Sequence, residues 1–208
     1  MPKLHIAPTK SNLLSLRRQL AFAEEGYDLL EQKRQILIYE LMSRLNLAQD
    51  AESKVAEALK SAFRALSEAQ LDIGTEALER ALLGVRVEHE LILSNQHLMG
   101  MRIPRIGFES QPFEAQFGVT GTSASTDLAM RRFVECLPLL ARLAELETAV
   151  RRLARELRKT QRRCNALSKI FIPDYRETIA YIMSALEERE REAFIILKMI
   201  RDRQVRQV

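Results

Sequence analysis

Apolar residues recur every three or four positions over two long stretches of the chain, and this spacing predicts two long amphipathic helices. The first apolar stripe covers residues 13–73 with alternating steps of three and four, and one step of four is repeated between Leu41 and Leu45. A 3.5-residue repeat with a single stutter is typical of a coiled coil. Thr9 is suited to cap this helix and Gly74 to end it.

The second stretch carries a similar stripe over residues 139–200, and two prolines interrupt the helical pattern around it. Pro138 either bends the helix or marks its first turn, while Pro173 removes a backbone donor and is expected to bend or locally break it. Each stripe is too narrow to be buried alone. We therefore expect the two helices to pair antiparallel within one chain, which brings both termini to one tip. A homodimeric coiled coil is the competing solution.

The segment between the long helices has a different pattern. Residues 75–83 predict a small helix ended by a glycine. Residues 85–93 alternate with period two, residues 94–96 (SNQ) suggest a turn, and the alternation resumes at Met99, so we expect a β-hairpin. Residues 107–126 are rich in Gly, Ser and Thr and predict a loop.

These elements predict a mainly α protein, with a long antiparallel two-helix coiled coil and a small central β-hairpin and short helix at the opposite end from the termini. Residues 1–73 and 127–208 would form the coiled coil, and residues 74–126 the hairpin and loop region. The chain has 208 residues, 6% aromatic residues and no Trp, which suits long helices better than a wide core. No apolar run is long enough to cross a membrane and no signal-peptide core is visible, so we expect a cytosolic chain.

Positive charge is concentrated in the last third of the chain. Residues 127–208 hold eighteen basic and twelve acidic side chains, and residues 151–169 hold eight basic and one acidic. Steps of four, three and four place four arginines in one stripe beside the apolar seam: Arg151, Arg155, Arg158 and Arg162. This stripe either faces an acidic or phosphate-bearing partner or is a solvated helix face. No aromatic residues are interleaved with the arginines, which argues against nucleic-acid binding.

No catalytic, cofactor or metal site is predicted. None of the three histidines stands four residues from another, and no Cys or carboxylate set completes a metal site. We expect His89 to pack in the first strand and Cys164 to be a small core residue on the seam. The glycine pair of GVTGTSAS lacks the lysine of a phosphate loop. We therefore expect no enzyme activity in this chain alone.

The C-terminal stretch is more apolar than one seam requires. Phe194, Ile195 and Leu197 lie beside the seam residues in this stretch. If two helices pair and end here, these three side chains would be exposed. An exposed apolar end indicates a socket in a partner, and fraying or self-association is the simpler alternative.

Three stretches of the chain, in order, resemble the D subunit of V/A-type rotary ATPases. They are APTKSNLLSLRRQLAFAEEGYDLLEQKRQIL at 7–37, LMGMRIPRI at 98–106, and RRCNALSKIFIPDYRETIAYIMSALEEREREAFIILKMIR at 162–201. The first resembles the family's opening, the second its central Met-Gly and Pro motif, and the third its C-terminal signature. Heptads alone would not be specific, but the combination is.

The resemblance implies a non-catalytic central-stalk subunit, the rotor axle of a V/A-type ATPase or ATP synthase. It would transmit torque between the catalytic hexamer and the membrane ion-translocating ring. Its implied partners are the catalytic A and nucleotide-binding B subunits of the head, the F subunit of the stalk and the adaptor over the ring, with no nucleic acid, no cofactor and no direct membrane insertion. The implied location is cytoplasmic, in a peripheral complex on the cell membrane, and the short C-terminus resembles prokaryotic members.

On this basis we expect three partner-binding surfaces. The tip bearing and the arginine track would face the hexamer, and the lower hairpin would face the stalk partners. The tip comprises Leu4, Leu13, Leu14, Phe194, Ile195 and Leu197; the track comprises Arg151, Arg155, Arg158 and Arg162; the hairpin set comprises Val85, Val87, Met99, Met101 and Ile103. The rival interpretations are a non-rotary cytosolic coiled-coil adaptor and a basic nucleic-acid-associated coiled coil.

Overall fold

The computed structural model describes residues 4, 6–85, 89–109 and 122–206, with residues 204–206 by their backbone alone. The elements in chain order are α1 (Lys10–Ile73), α2 (Thr75–Leu82), β1 (Glu90–Leu98), β2 (Met101–Glu109), α3 (Ala124–Ala166), a π-helical turn (Leu167–Phe171) and α4 (Ile172–Arg206). The predicted class, mainly α with long helices and a small antiparallel hairpin, is confirmed.

Both predicted ends of the first long helix are confirmed. The Thr9 hydroxyl accepts a hydrogen bond from the backbone N–H of Asn12 at 3.2 Å, which satisfies one of the free donors of the first turn. After Ile73, Gly74 has φ +79° and its N–H donates to the carbonyl of Gln70. A glycine adopts this left-handed conformation at little cost, so the helix ends there.

The buried side chains of the long helices follow the predicted seam. In α1 the buried seam residues are Leu16, Ala23, Leu37, Val55, Ala62 and Ala69, and in α3 and α4 they include Leu146, Leu153, Thr160, Cys164 and Ile182. Fully burying one leucine side chain stabilises the fold by roughly 1.5–3 kcal/mol. No α1 residue between Leu37 and Val55 is buried, and the predicted stutter lies in this interval.

The chain divides into two compact units, of which the first comprises Met1–Ile36 and Leu157–Val208. Here α1 and α4 pair antiparallel, as predicted, and three side-chain contacts recur at seven-residue steps on both helices. They are Lys10 with Glu190 at 2.9 Å, Arg17 with the Met183 sulfur at 3.3 Å, and Glu24 with Arg176 at 2.6 Å. Because equal steps on both helices recur every heptad, this pairing has the register of an antiparallel coiled coil.

A polar layer interrupts the apolar seam further along the first unit. Arg34 occupies a seam position, pairs with Glu31 on its own helix and donates from Nη1 to the Gln161 side chain at 2.9 Å. Its Nε is buried and has no hydrogen-bond partner. The neighbouring thiol of Cys164 is buried, as predicted, and burial raises its pKa above the ordinary value.

The two prolines have different outcomes. Pro173 is the second residue of α4, two positions after the π-helical turn Leu167–Phe171, so the expected local disruption is confirmed. Proline cannot donate to the carbonyl four residues earlier, and a widened turn accommodates the missing bond. Pro138 lies inside α3 and not in its first turn, because α3 already begins at Ala124.

The second unit comprises Leu37–Glu156, where α1 and α3 pack antiparallel. Three small buried residues meet where the helices approach: Ala65, Ala69 and Ala129. The rings of Phe63 and Phe133 make an edge-to-face contact at 5.4 Å, and Ser123 donates to the Asp72 carboxylate at 3.4 Å. Ser123 also caps α3, since its hydroxyl accepts from the N–H of Ser125 at 3.2 Å.

The hairpin prediction is confirmed, but the predicted turn at 94–96 is wrong. The chain reverses at Met99 and Gly100, whose φ values are +49° and +78°. Positive φ at both central residues defines the type I′ turn that matches the twist of a two-residue hairpin. Residues 94–96 lie within β1, and the predicted loop 107–126 is also shorter than expected. Residues 107–109 belong to β2 and 124–126 to α3, while residues 110–121 lie outside the described part of the chain.

The outer edge of β2 is bound to α3. The N–H of Ile106 donates to the Glu145 carboxylate at 3.1 Å, and the carbonyl of Arg102 accepts from Arg152 at 2.5 Å. Both backbone groups therefore point away from β1. Pro104 lies between them on the same edge, where its missing N–H costs no strand-pairing hydrogen bond. Ile103 is only 2% exposed, so it belongs to the core of this unit.

Candidate partner-binding surfaces

The predicted tip residues lie together in the first unit. The pairing of Lys10 with Glu190, and a hydrogen bond from Arg189 to the carbonyl of Pro8 at 3.0 Å, mark where α4 meets the start of α1. Beyond this point α4 continues to Arg206 with every described side chain exposed, including Phe194, Ile195 and Leu197. Leu14 is exposed, while Leu4 and Leu13 are half-buried. The structure thus places an apolar surface at this end of the unit.

The Lys10–Glu190 pair is the electrostatic feature next to this surface. A hydrogen bond and then charge attraction from Lys10 lower the pKa of Glu190, and the same causes raise the pKa of Lys10. Both side chains are largely exposed. Exposed pairs of this kind contribute little to stability, so this pair adds little to what holds the unit together.

All four arginines of the predicted track are exposed on α3. Arg151 and Arg155 belong to the second unit, and Arg151 pairs with Glu147 at 2.9 Å. Arg158 and Arg162 belong to the first unit. Arg152, the neighbour of Arg151 on α3, donates to the carbonyl of Arg102 and so holds the hairpin.

The predicted hairpin residues do not share one environment. Met99 is exposed in the turn, Met101 and Val85 are half-buried, Ile103 is buried, and Val87 lies outside the described residues. Leu91 and Leu93 are exposed on the face formed with Ile106 and Phe108. These two leucines are therefore more available to a partner than Ile103. His89 was expected in the first strand but lies just before β1, and it packs on Phe108 with ring centroids 5.6 Å apart.

A second apolar stripe on α1 was missed in the sequence. Phe22, Leu29 and Ile36 are exposed, Phe22 by 79%, and each is seven residues from the next. They directly precede seam positions, so they lie on a neighbouring face of the same helix. The seven-residue spacing was visible, but a second stripe beside a seam resembles ordinary coiled-coil surface until its exposure is known.

Neither a metal site nor a membrane span is found in the part of the chain that the structure describes. No group of three or more His, Cys, Asp or Glu residues is placed there to hold a metal ion. No described helix combines the length and apolar character needed to cross a bilayer. Cys136 is buried on α3, and burial, followed by the charge of Glu135, raises the pKa of its thiol.

Comparison with known proteins identifies the family. The family model described as the ATP synthase D subunit matches residues 12–202. The chain belongs to the ATP synthase D-subunit family. It is 36% identical to the V-type ATP synthase D subunit of Thermotoga neapolitana over 203 residues, covering 98% of this chain and 100% of that protein. It is 42% identical to the V-type ATP synthase D subunit 2 of Treponema pallidum and 37% identical to the A-type ATP synthase D subunit of Pyrococcus furiosus, covering 97% of this chain and 96% of each relative.

Membership of the D-subunit family decides between the interpretations left open above. The D subunit is a non-catalytic central-stalk component of V/A-type rotary ATP synthases, and this assignment supports the rotary interpretation over a coiled-coil adaptor or a nucleic-acid-associated coiled coil. The match also covers both long helices and the hairpin between them. The resemblance seen in three stretches thus extends over nearly the full chain.

Proposed function

We propose that this D subunit is the rotor axle that transmits torque between the catalytic hexamer, built from the A and B subunits, and the membrane ion-translocating ring. The observation that carries the proposal is the apolar end of α4, which is exposed where α1 begins, in a chain of this family. A single asymmetric axle contacts each catalytic site differently. Its rotation would shift the relative stability of open and closed sites, which is coupling by differential contact.

The tip bearing would consist of the exposed residues Leu14, Phe194, Ile195 and Leu197, with Leu4 and Leu13 supporting them. Apolar contacts are not directional, so they hold a turning tip in its socket without fixing one angle. The arginine track of Arg151, Arg155, Arg158 and Arg162 would face acidic groups of the hexamer. Long-range charge attraction likewise does not require one fixed angle between the track and the hexamer.

The lower partners would be the F subunit of the stalk and the adaptor over the membrane ring. The hairpin residues Val85, Val87, Met99, Met101 and Ile103 stay in this proposal as a segment, with Ile103 and Met101 supporting the hairpin from its packed side. The complex would lie peripherally at the cell membrane, on the cytoplasmic side. The coiled coil of residues 1–73 and 127–208 would serve as the axle and residues 74–126 as the lower region.

Native mass spectrometry tests the proposed assembly. The chain is mixed with the F subunit and the purified catalytic hexamer, and one copy per hexamer is the expected stoichiometry. Self-dimerisation of the chain without association would contradict the proposal and favour an adaptor.

Charge reversal tests the arginine track. Replacing all four arginines by Glu is expected to impair the coupling of ATP hydrolysis to rotation. A control variant reverses three exposed basic residues on another helix, Lys54, Lys60 and Arg64 of α1. Full coupled activity of the four-arginine variant would remove the track from the proposal, as would equal impairment by the control.

A further inference from the structure

The two edges of the β-hairpin differ in whether other parts of the chain cover them. The edge of β2 is closed by Glu145, Arg152 and a proline, as described above. In β1, which has nine residues, all side chains except Leu98 are exposed. β1 contains no Lys and no Pro, two of the usual devices that protect an edge strand from pairing with another chain, and Glu90 at its first position is its one charged residue.

The register identifies which groups of β1 face outward. Ile106 is opposite Leu93 and Arg102 is opposite His97, and both β2 residues direct their backbone groups toward α3. In an antiparallel pair such opposed residues are not hydrogen-bonded to each other. The N–H and C=O groups of Leu91, Leu93, Asn95 and His97 therefore point away from β2. In the described part of the chain the sheet has two strands, so this row has no third strand beside it.

Charge at the open end of the hairpin adds a second, independent observation. Glu90 and Glu109 are opposed in the register, and like charges in this position destabilise a strand pair. Among the described residues neither carboxylate has an ion-pair partner. A cation next to this pair would relieve the repulsion. β1 itself contains no Lys or Arg, so the β1 strand of a second copy could not supply one by edge-to-edge pairing.

We propose that β1 binds an extended segment of another component of the ATP synthase as a third strand. The segment carries apolar residues at alternate positions, which pack beside Leu91 and Leu93, and a Lys or Arg that lies next to Glu90 and Glu109. Backbone hydrogen bonds along the edge supply affinity, and the alternate side chains supply specificity. The inference rests on the proposed function only in taking the partner from the rotary complex.

Hydrogen exchange resolved at single amides tests the inference in the assembled complex. The amides of Leu91, Leu93, Asn95 and His97 are expected to exchange at least about tenfold more slowly in the complex than in the chain alone, since a new ladder bond must open first. The amides of Ile92, Ser94 and Gln96, already bonded to β2, provide an internal reference. Assembly without added protection of the outward amides would overturn the inference and leave the proposed function intact.

Two matched variants identify the cause of the protection. Asn95→Pro removes one outward donor and none that faces β2, and Asn95→Ala is its control. Strand addition is supported if Asn95→Pro loses the protection at residues 91–97 and Asn95→Ala keeps it. Protection that is retained in Asn95→Pro would overturn the inference. Glu90→Lys is expected to reduce the protection of the outward β1 amides, because the new lysine repels the partner's cation. Unchanged protection in this variant would overturn the proposed contact between that cation and Glu90.

The remaining outcomes distinguish a partner subunit from a second copy of this chain at the β1 edge. Protection that appears in the chain alone and rises with its concentration would identify a second copy and overturn the inference. Failure of the chain to join the complex would overturn both the inference and the proposed function. Protection of β1 in a complex whose chain does not rotate would contradict the proposed function only.

Discussion

Glu145 of α3 accepts a hydrogen bond from the backbone N–H of Ile106 on β2, over 3.1 Å. Glu145 is only 8% exposed, and its carboxylate also forms a salt bridge with the guanidinium of Arg142 at 2.7 Å. One buried side chain thus satisfies the outward N–H of Ile106 and fixes the hairpin to the long helix. This packing matters because a two-stranded hairpin by itself is only marginally stable in water.

Glu145→Ala should loosen the hairpin. It leaves the Ile106 N–H without its acceptor, which costs about 1–3 kcal/mol when the donor is buried. We expect faster exchange of the Ile106 amide in the isolated chain. Glu147→Ala provides the control, because Glu147 is exposed and its pair with Arg151 is worth at most about 1 kcal/mol. Equal acceleration by both variants would contradict the role of Glu145.

The seam should tolerate truncation far less than the neighbouring helix surface. Leu16 is 2% exposed and Leu14 is 56% exposed, although they are two residues apart on α1. Leu16→Ala should destabilise the first unit by about 2–5 kcal/mol through lost burial and a cavity, and Leu14→Ala by less than about 0.5 kcal/mol. Denaturant unfolding followed by circular dichroism measures both. Similar losses would mean that the seam is misplaced.

The Met99–Gly100 turn should respond oppositely to two substitutions. Gly100→Ala forces a Cβ into a conformation with φ +78° and should cost the hairpin roughly 1–2 kcal/mol. Met99→Asn places a residue that tolerates positive φ and should stabilise the turn. Exchange rates of the β1 amides bonded to β2 report both effects. An unaffected hairpin in Gly100→Ala would contradict the type I′ assignment.

The Lys10–Glu190 pair should be sensitive to pH at both extremes. The hydrogen bond and charge of Lys10 lower the pKa of Glu190 below its ordinary value of 4.5. The contribution of Glu190 is therefore complete above pH 4.5 and is lost as the pH falls through the lower, folded value. The pKa of Lys10 is raised above 10.5, so its contribution is present below that pH and is lost as the pH rises past the folded value.

A carboxyl titration by NMR checks this pair. Glu190 should titrate below 4.5 in the native chain and return toward 4.5 in Lys10→Met. A titration of Glu190 that is the same in both proteins would show that the pair does not form in solution.

The periodic parts of the fold could be predicted because their signal is local. Burial of Leu16, Leu37 and Leu153 follows from a repeat that is visible in the residues themselves. Gly74 likewise ends α1 where only a residue free to adopt positive φ fits easily. The same logic located the local disruption at Pro173, since a missing N–H affects its own turn.

The hairpin register could not be predicted because it depends on contacts far apart in sequence. Polar residues 94–96 resemble a turn, yet the chain reverses at Met99 and Gly100, and Glu145 and Arg152 of α3 hold the following strand β2 in place. Which residues are exposed at the candidate surfaces also depends on contacts far apart in sequence. Ile103 and Leu93 are both apolar strand residues, but only the packing of the hairpin on α3 buries the first and leaves the second 72% exposed.

Single-molecule observation of rotation tests the central claim most directly. The catalytic hexamer is fixed to a surface and assembled with the F subunit and this chain. A bead is attached to an exposed cysteine introduced on α2, as Glu79→Cys. The account predicts one-directional turning of the bead when ATP is added, which stops when ATP is removed. Sustained ATP hydrolysis by the assembled complex with a bead that does not turn would contradict the assignment of this chain as the rotor axle.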